Sequence, residues 1–255
     1  MTAAQVGNSE RLAARPLAVG GTPTQTWLDA ELQLPELDLR GCPEVLVVGA
    51  HPDDETLGFG ATAHLLAEAR VRVQIVSASD GGAAFPDQSL LQRFRLERTR
   101  RAELHQAAGL LGLNVPICLG LPDGEIAEHE ERLADLLTEI LDTKPEGTWC
   151  AATWRGDGHP DHEAVGRAAA IAVQRTGAVL VEYPVWMWHW ALPDDGAVPW
   201  HRGYRIPLNP AAVERKTLAA QCFHSQFVPP APDADPVLPP FVLRRLLAVG
   251  EVVFR

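Results

Sequence analysis

The chain has 255 residues, of which 46% are hydrophobic and 22% are charged, and its formal net charge is −11 at pH 7. This composition is typical of a globular protein and excludes a chain that is disordered throughout. The acidic balance argues against a nucleic-acid partner and favours a small molecule. Because no apolar run approaches the roughly 20 residues of a membrane-spanning helix, we expect no membrane span.

The N-terminus and the cysteines bear on location. Residues 1–20 lack the basic start and apolar stretch of a secretory signal. The four cysteines are far apart and form no CxxC pair, which argues against a thiolate metal site and against a disulfide framework. Both features predict a reducing, cytoplasmic location.

The predicted elements begin after an N-terminal extension, residues 1–43, which we expect to pack on a single domain spanning 44–255. Within that domain, apolar runs alternate with amphipathic segments, as in βαβ units with a mostly parallel sheet. Right-handed crossovers then predict a Rossmann-like three-layer α/β/α sandwich. The predicted strands are 44–49, 71–77, 115–119, 148–153 and 178–183, and the predicted helices are 56–70, 92–111, 128–142 and 162–174.

The alternation weakens beyond residue 184, where tryptophans and prolines predict an irregular C-terminal region. An edge strand over 204–207 and a helix over 211–223 are the regular elements predicted there. The proline-dense segment 227–240 is expected to be extended, free of helix and able to cover a pocket. Core packing or stacking on a sugar ring would each explain the tryptophan cluster, which comprises Trp186, Trp188, Trp190 and Trp200.

The motif HPDDE at residues 51–55 carries the strongest chemical signal. It follows the first predicted strand, and ligands of parallel sheets bind beyond the carboxyl ends of the strands. His51 and Asp54 are three residues apart on a turn that opens a helix, a spacing that lets both bind one metal ion. Asp53 lies between them and is free for another role. A helix N-terminus with acidic residues that suit its dipole is the alternative interpretation.

A second motif, HPDH at residues 159–162, follows the fourth predicted strand and therefore lies at the same sheet edge. Nitrogen and oxygen ligands without thiolates suit catalytic zinc, with iron and manganese as alternatives. Three protein ligands leave a position for water, and a neighbouring carboxylate can accept its proton. The residues alone therefore predict a metal-dependent hydrolase.

In these two motifs the chain resembles the PIG-L/LmbE-like family of zinc-dependent N-deacetylases. That family includes the N-acetylglucosaminyl-phosphatidylinositol de-N-acetylases and the bacterial deacetylases of mycothiol and bacillithiol biosynthesis. The resemblance extends over residues 44–226, with weaker matches at 100–103, 121–124 and 216–226. It implies hydrolysis of an N-acyl group, expected to be acetyl, on an amino sugar or a sugar-containing metabolite.

The resemblance also implies roles for single residues. His51, Asp54 and His162 would bind zinc. Asp53 would be the general base that takes a proton from the zinc-bound water and passes it to the leaving amine. His159 would be a cation that stabilises the oxyanion of the tetrahedral intermediate.

Other positions match the family less closely. Arg100 and Asp123 match positions that contact the sugar, and Arg98 and Arg101 are adjacent alternatives to Arg100. A solvated helix face would also explain Arg100, and a turn would also explain Asp123. His224 is expected to support the site from behind its ligands or to cap a helix locally.

One position departs from part of the family, in which a tyrosine two residues before HPDH assists the oxyanion. Here that position is Asp157. An ionised carboxylate cannot donate a hydrogen bond, so the tyrosine's role does not transfer. Arg155 and His159 are the candidates to replace it.

Two other functions fit the same residues. One is an amidase that acts on a thiol conjugate or a natural-product intermediate. The other is a catalytically silent protein that binds a metal and a metabolite, against which the intact Asp53 argues. A homo-oligomer is compatible with the sequence.

Overall fold

The computed structural model describes residues 6–229 and 235–255. In these ranges one seven-stranded sheet is formed by β1 (Glu44–Gly49), β2 (Arg72–Ser79), β3 (Ile117–Leu121), β4 (Trp149–Thr153), β5 (Val179–Tyr183), β6 (Gly203–Arg205) and β7 (Val252–Phe254). The strand order is β3-β2-β1-β4-β5-β7-β6. Strands β1 to β5 are parallel, whereas β7 is antiparallel to its neighbours β5 and β6. The five strands predicted before residue 184 are therefore confirmed.

The helices of the described residues are α1 (Asn8–Ala13), α2 (Thr24–Asp29), α3 (Asp54–Glu68), α4 (Leu90–Leu110), α5 (Glu130–Asp142), α6 (Pro160–Thr176), α7 (Met187–Trp190), α8 (Pro210–Ala220), α9 (His224–Phe227) and α10 (Pro240–Val249). Helices α3, α4 and α8 pack together on one face of the sheet, and α5 and α6 pack together on the other. The predicted three-layer sandwich is confirmed. Within the described ranges, the search for a helix long and apolar enough to span a membrane found none.

Strand β1 lies in the middle of the sheet and is buried along its whole length. Val45 and Val47 join the core cluster that includes side chains of α3, while Leu46 and Val48 join the cluster beneath α5 and α6. A strand covered on both faces consists of apolar residues throughout, as this one does. Its carboxyl end, which carries HPDDE, is thus fixed from both sides.

The region beyond residue 184 holds more regular structure than we predict from the sequence. Strand β6 and helix α8 correspond to the predicted strand and helix, but α7, α9, α10 and β7 are additional. Strand β7 is three residues long and pairs with β5 and β6, which are distant from it in the sequence, so no local pattern predicts it. The proline-dense segment 227–240 is not wholly free of helix as predicted, because Phe227 ends α9 and Pro240 begins α10. Between them, residues 228–229 and 235–239 contain no helix, and residues 230–234 lie outside the described residues.

The N-terminal residues 6–43 contact the rest of the molecule through buried side chains. Trp27 and Leu37 belong to the same core cluster as β1. The indole N–H of Trp27 donates to the carbonyl oxygen of Trp188 at 3.0 Å. Residues 1–5 of the predicted extension lie outside the described residues, and the boundary at residue 44 stays a prediction.

Candidate active site

The two motifs meet at one edge of the sheet because β1 and β4 are hydrogen-bonded parallel neighbours. HPDDE follows β1, and HPDH follows β4 after a short loop. They border a cavity of about 270 Å³. The cavity is lined by His51, Asp53, Asp54, Leu57, Ala83, Ala84, Arg100, Asp123, Gly124, His159, Val185, Trp186, Gln226, Val237, Leu238 and Val242.

The three predicted metal ligands lie together, and we call His51, Asp54 and His162 the candidate metal cluster. One ligand atom of each lies within 4.8 Å of the others. Asp54 stands between the imidazoles, with Oδ2 at 3.4 Å from His51 Nδ1 and Oδ1 at 3.2 Å from His162 Nε2. Asp54 and His162 are buried, and the side chain of His51 is 12% exposed.

The cluster fits a divalent cation because one of its buried nitrogen atoms makes no hydrogen bond with the described residues. His162 Nδ1 lies 2.8 Å from a carboxylate oxygen of Asp157, while its Nε2 is buried without a hydrogen-bond partner among the described residues. A carboxylate on one ring nitrogen fixes the tautomer that leaves the other nitrogen for a metal. Buried polar atoms are otherwise almost always hydrogen-bonded. The donor set, two imidazoles and a carboxylate, suits zinc.

The charges of the cluster lead to the same conclusion. Burial opposes a charged imidazole, but the carboxylates of Asp54 and Asp157 outweigh it and raise the pKa of His162 to about 9. At His51, too, the neighbouring carboxylates overcome burial and hold the pKa well above its usual range. The two imidazoles in turn keep the pKa of Asp54 well below normal against the effect of burial. In the metal-free protein, protons on the two imidazoles balance the negative charge of the carboxylates, as a bound metal ion would.

Asp157 positions His162 instead of facing a substrate. Besides His162, its carboxylate accepts hydrogen bonds from the backbone N–H groups of Val185, Trp186 and Met187, each at 2.9 Å. The side chain is fully buried and does not line the cavity. Four donors around one carboxylate hold it in a single orientation. The structure therefore places Asp157 behind the metal cluster, where the loop after β5 locks it.

Asp53 has an unusual backbone and an unusual acidity. Its φ of 136° and ψ of −30° lie outside the regions that non-glycine residues normally adopt. Its N–H donates to a carboxylate oxygen of Glu55 at 3.1 Å, and its own carboxylate lies 3.3 Å from the guanidinium of Arg100. Burial raises the pKa of Asp53 to about 7, although Arg100 opposes the rise. A carboxyl group with this pKa can take up and release a proton near neutral pH.

Arg100 is buried, so it does not lie on a solvated helix face. It donates to the carbonyl oxygens of Gly81 at 3.0 Å and Pro52 at 2.9 Å, and it faces Asp53. Gly81 has a φ of +67°, and a Cβ atom there would lie 2.1 Å from Arg100 Nη1. Glycine is therefore required for the guanidinium to reach the loop before Asp53. Arg100 borders the cavity, as expected for a substrate contact, and it also supports the candidate base.

Asp123 is also at the cavity, but its oxygens are already engaged. One lies 3.0 Å from His51 Nε2, and the other accepts from the backbone N–H of Ala83 at 2.6 Å. Asp161, which the sequence analysis assigns no role, lies 3.1 Å from the same His51 nitrogen and accepts from the N–H of Gly124. The two carboxylates orient His51 from the side opposite Asp54. The predicted sugar contact of Asp123 stays a prediction.

The structure does not support the expected cationic state of His159. Burial and the neighbouring His162 and His51 lower the pKa of this imidazole to about 3. It is consequently neutral near pH 7. Its Nδ1 accepts the N–H of Asp161 at 3.3 Å, so its proton is on Nε2.

The oxyanion candidates can now be compared. Arg155 donates to both carboxylate oxygens of Glu182, at 2.7 and 3.0 Å, and does not line the cavity. His159 does line it. Of the two candidates, only His159 is placed to donate to a substrate oxygen, and it would do so as a neutral imidazole.

His224 is not part of the site. It is exposed and does not line the cavity. The neighbouring Gln226 is buried and does line it. Ser225 fixes this turn by donating to Glu103 through its hydroxyl at 2.6 Å and its backbone N–H at 2.8 Å. The sequence of residues 224–226 does not show which of these three side chains points inward.

Some tryptophans of the cluster pack in the core, and one lies where it can contact a sugar ring. Trp188 and Trp190 are buried in the core. Trp186 borders the cavity, with its ring 6.5 Å from that of His159. It belongs to a set of mainly aliphatic residues that we call the apolar wall: Val185, Trp186, Val237, Leu238 and Val242.

Comparison with known proteins agrees with this geometry. The family model of PIG-L, the GlcNAc-PI de-N-acetylases, matches residues 46–173, which is half of the chain. The chain belongs to this family. Both motifs of the PIG-L domain lie inside the matched segment, whereas the apolar wall lies beyond it.

Individual relatives are deacetylases by name. The 1D-myo-inositol 2-acetamido-2-deoxy-alpha-D-glucopyranoside deacetylase of Mycobacterium sp. (strain KMS) is 35% identical over 156 residues, covering 52% of this chain and 51% of that protein. The diacetylchitobiose deacetylase of Thermococcus kodakarensis is 27% identical over 151 residues, covering 59% and 55%. The chain thus spans about half the length of these curated relatives.

A solved structure shares the fold. The N,N'-diacetylchitobiose deacetylase from Pyrococcus horikoshii matches with a TM-score of 0.58 at 24% identity, covering 78% of this chain and 75% of that one. This likeness extends the fold assignment beyond the segment that the family model matches.

Proposed function

We propose that the protein is a metal-dependent N-deacetylase that removes an acetyl group from an amino sugar or a sugar-containing metabolite. The observation that carries the proposal is the position of Asp53, a buried carboxyl group that lines the cavity beside the candidate metal cluster. A site that only bound a metal would need no such group. The names of the two relatives described above, both deacetylases of N-acetylated sugars, support the same reaction.

His51, Asp54 and His162 would hold the ion, which we take to be Zn²⁺ with Fe²⁺ or Mn²⁺ as alternatives. When bound, the ion supplies Lewis acidity that polarises the amide carbonyl and acidifies water. Asp53 accepts the proton of the attacking water and delivers it to the leaving amine. His159 donates its Nε2–H to the carbonyl oxygen as negative charge develops there.

The relatives' substrates share an N-acetylglucosamine unit by name, and we propose the same unit for this protein. The apolar wall offers a surface for the C–H face of the sugar or for the methyl of the acetyl group. On the polar side of the cavity, Arg100 and Gln226 can donate hydrogen bonds to the hydroxyl groups of an uncharged sugar. A cytoplasmic location remains part of the proposal.

The test is metal analysis of the purified protein together with amine release from a panel of N-acetylated glucosamine derivatives. One equivalent of zinc and amine release would support the proposal. If the protein binds metal but releases no amine from these compounds, from other N-acyl sugars, from thiol conjugates or from natural-product amides, the catalytically silent metabolite-binding protein would be favoured. Failure to bind metal after reconstitution would overturn the role of the candidate metal cluster.

A further inference from the structure

A second depression lies beside the catalytic cavity, between α4 and the loop after β3. We call it the side cleft, and its volume is about 400 Å³. Asp123 lines both the side cleft and the catalytic cavity and forms a shared wall between them. The other residues that line the side cleft include Asp80, Leu90, Arg93, Phe94, Glu97 and Arg101.

The rim of the side cleft carries two large apolar side chains that water can reach. Leu90 is 84% exposed and Phe94 is 55% exposed. They stand one helical turn apart at the start of α4, so both face the same way. Leu91 is also 57% exposed but does not line the side cleft. Exposed apolar side chains that cluster at the edge of a concave surface are typical of a binding site.

The charges of the side cleft nearly cancel. Arg101 forms an ion pair with Asp80 on its floor. Arg93 and Glu97, of opposite charge, each lack an ion-pair partner within 4.0 Å among the described residues. A strongly charged ligand would find no matching field here, whereas an apolar group would cover Leu90 and Phe94.

The two depressions meet at Asp123 and the residue hydrogen-bonded to it. Asp123 accepts the N–H of Ala83, and Ala83 is exposed and lines the catalytic cavity. A substituent of a sugar held in the catalytic cavity would reach the side cleft by passing over this pair of residues.

We propose that the side cleft is a subsite for the aglycone, and that it selects N-acetylglucosaminides whose aglycone is apolar or aromatic. The proposal rests on the proposed function, since it assumes that the sugar occupies the catalytic cavity. It assigns Leu90 and Phe94 to substrate selection and gives them no part in the chemistry.

The experiment measures binding of two product-like ligands by calorimetry, the phenyl and the methyl glycosides of glucosamine, each as both anomers. We expect the phenyl glycoside to bind at least about tenfold more tightly than the methyl glycoside, because the ring removes apolar surface from water. In the double variant Leu90→Ala/Phe94→Ala, the ratio should fall to near one. The matched control Leu91→Ala should keep the wild-type ratio. All three side chains are exposed, so the variants should fold.

The outcomes separate the subsite from the proposed function. A phenyl-to-methyl ratio near one in the wild-type protein, or an unchanged ratio in the double variant, overturns the subsite even if N-acetylglucosaminides are deacetylated. A phenyl-to-methyl ratio that depends on Leu90 and Phe94 supports the subsite. If the phenyl and methyl glycosides of N-acetylglucosamine then release no amine, the proposed function alone fails.

A second copy of this chain is the other candidate occupant of the rim, and light scattering tests it. Self-association through this surface would weaken in Leu91→Ala as well as in the double variant, because Leu91 is on the same exposed helix end. A loss of mass in both variants would overturn the subsite. An unchanged mass together with the ratio change restricted to the double variant would support it.

Discussion

The candidate metal cluster and the apolar wall face the same cavity, but different physical constraints hold them in place. The cluster follows two buried parallel strands, and each imidazole is fixed by carboxylates: His51 by Asp123 and Asp161, His162 by Asp157. The apolar wall comes from short segments after β5 and from the start of α10, beyond the family match. Among the described residues, the side chains of the wall make apolar contacts only, although the backbone N–H groups of Val185 and Trp186 donate to Asp157.

This difference indicates how the reaction and the substrate are divided within the site. The charged network tolerates little change, because each carboxylate satisfies several donors at once. An apolar wall accepts other side chains of similar volume at small cost. We therefore expect substitutions in the network to affect metal binding or turnover strongly, and substitutions in the wall to change substrate affinity modestly.

The largest effect is expected at Asp53. Asp53→Asn should lower kcat by about 10³-fold or more, because an amide cannot accept the proton of water. Asparagine has the same size and shape as aspartate, so the backbone at this position should persist. The check combines steady-state kinetics with metal analysis. Loss of the metal in this variant would show that Asp53 is a ligand and not the base.

Asp157→Asn tests the network behind the cluster. The amide N–H of the asparagine would face one of the N–H donors that the Asp157 carboxylate accepts from. The side chain would therefore shift, and His162 would lose its orientation. Metal affinity should fall by about 10- to 100-fold, measured by competition with a chelator. The control is Asp135→Asn, which removes an exposed carboxylate paired with Arg175 and should leave the affinity unchanged. Equal affinity in both variants would contradict the role of Asp157.

The sequence predicts the network better than the wall for a physical reason. HPDDE and HPDH each follow a buried strand, so strand periodicity alone places them at one sheet edge. The roles of Asp161 and Gln226 depend on where loops fold back, and no local pattern encodes that. His224 is an example, because the residue of this turn that faces the cavity is Gln226, two positions later. The neutral state of His159 arises from burial among other imidazoles, which becomes visible only in three dimensions.

Metal uptake should depend on pH in a direction that the charges set. The pKa of His162 is about 9 in the metal-free protein, so this imidazole is protonated at pH 7 and must lose its proton to offer Nε2. Zinc binding should therefore release protons, and its apparent affinity should rise by about tenfold per pH unit for each proton released. A pH indicator in weakly buffered solution measures the release. Uptake without proton release at pH 7 would contradict the protonated state of the cluster.

The smallest effect is expected in the apolar wall, at Trp186. Its backbone N–H donates to Asp157, so substitution of the side chain leaves that contact in place and isolates the indole. Trp186→Ala should raise KM for an N-acetylglucosaminide by about three- to tenfold, the contribution of one aromatic face, with kcat and zinc content unchanged. Trp186→Phe should recover most of the loss, because it restores an aromatic face. A fall in kcat or in zinc content in Trp186→Ala would mean that the wall and the metal cluster are energetically coupled, and the division between reaction and substrate would not hold.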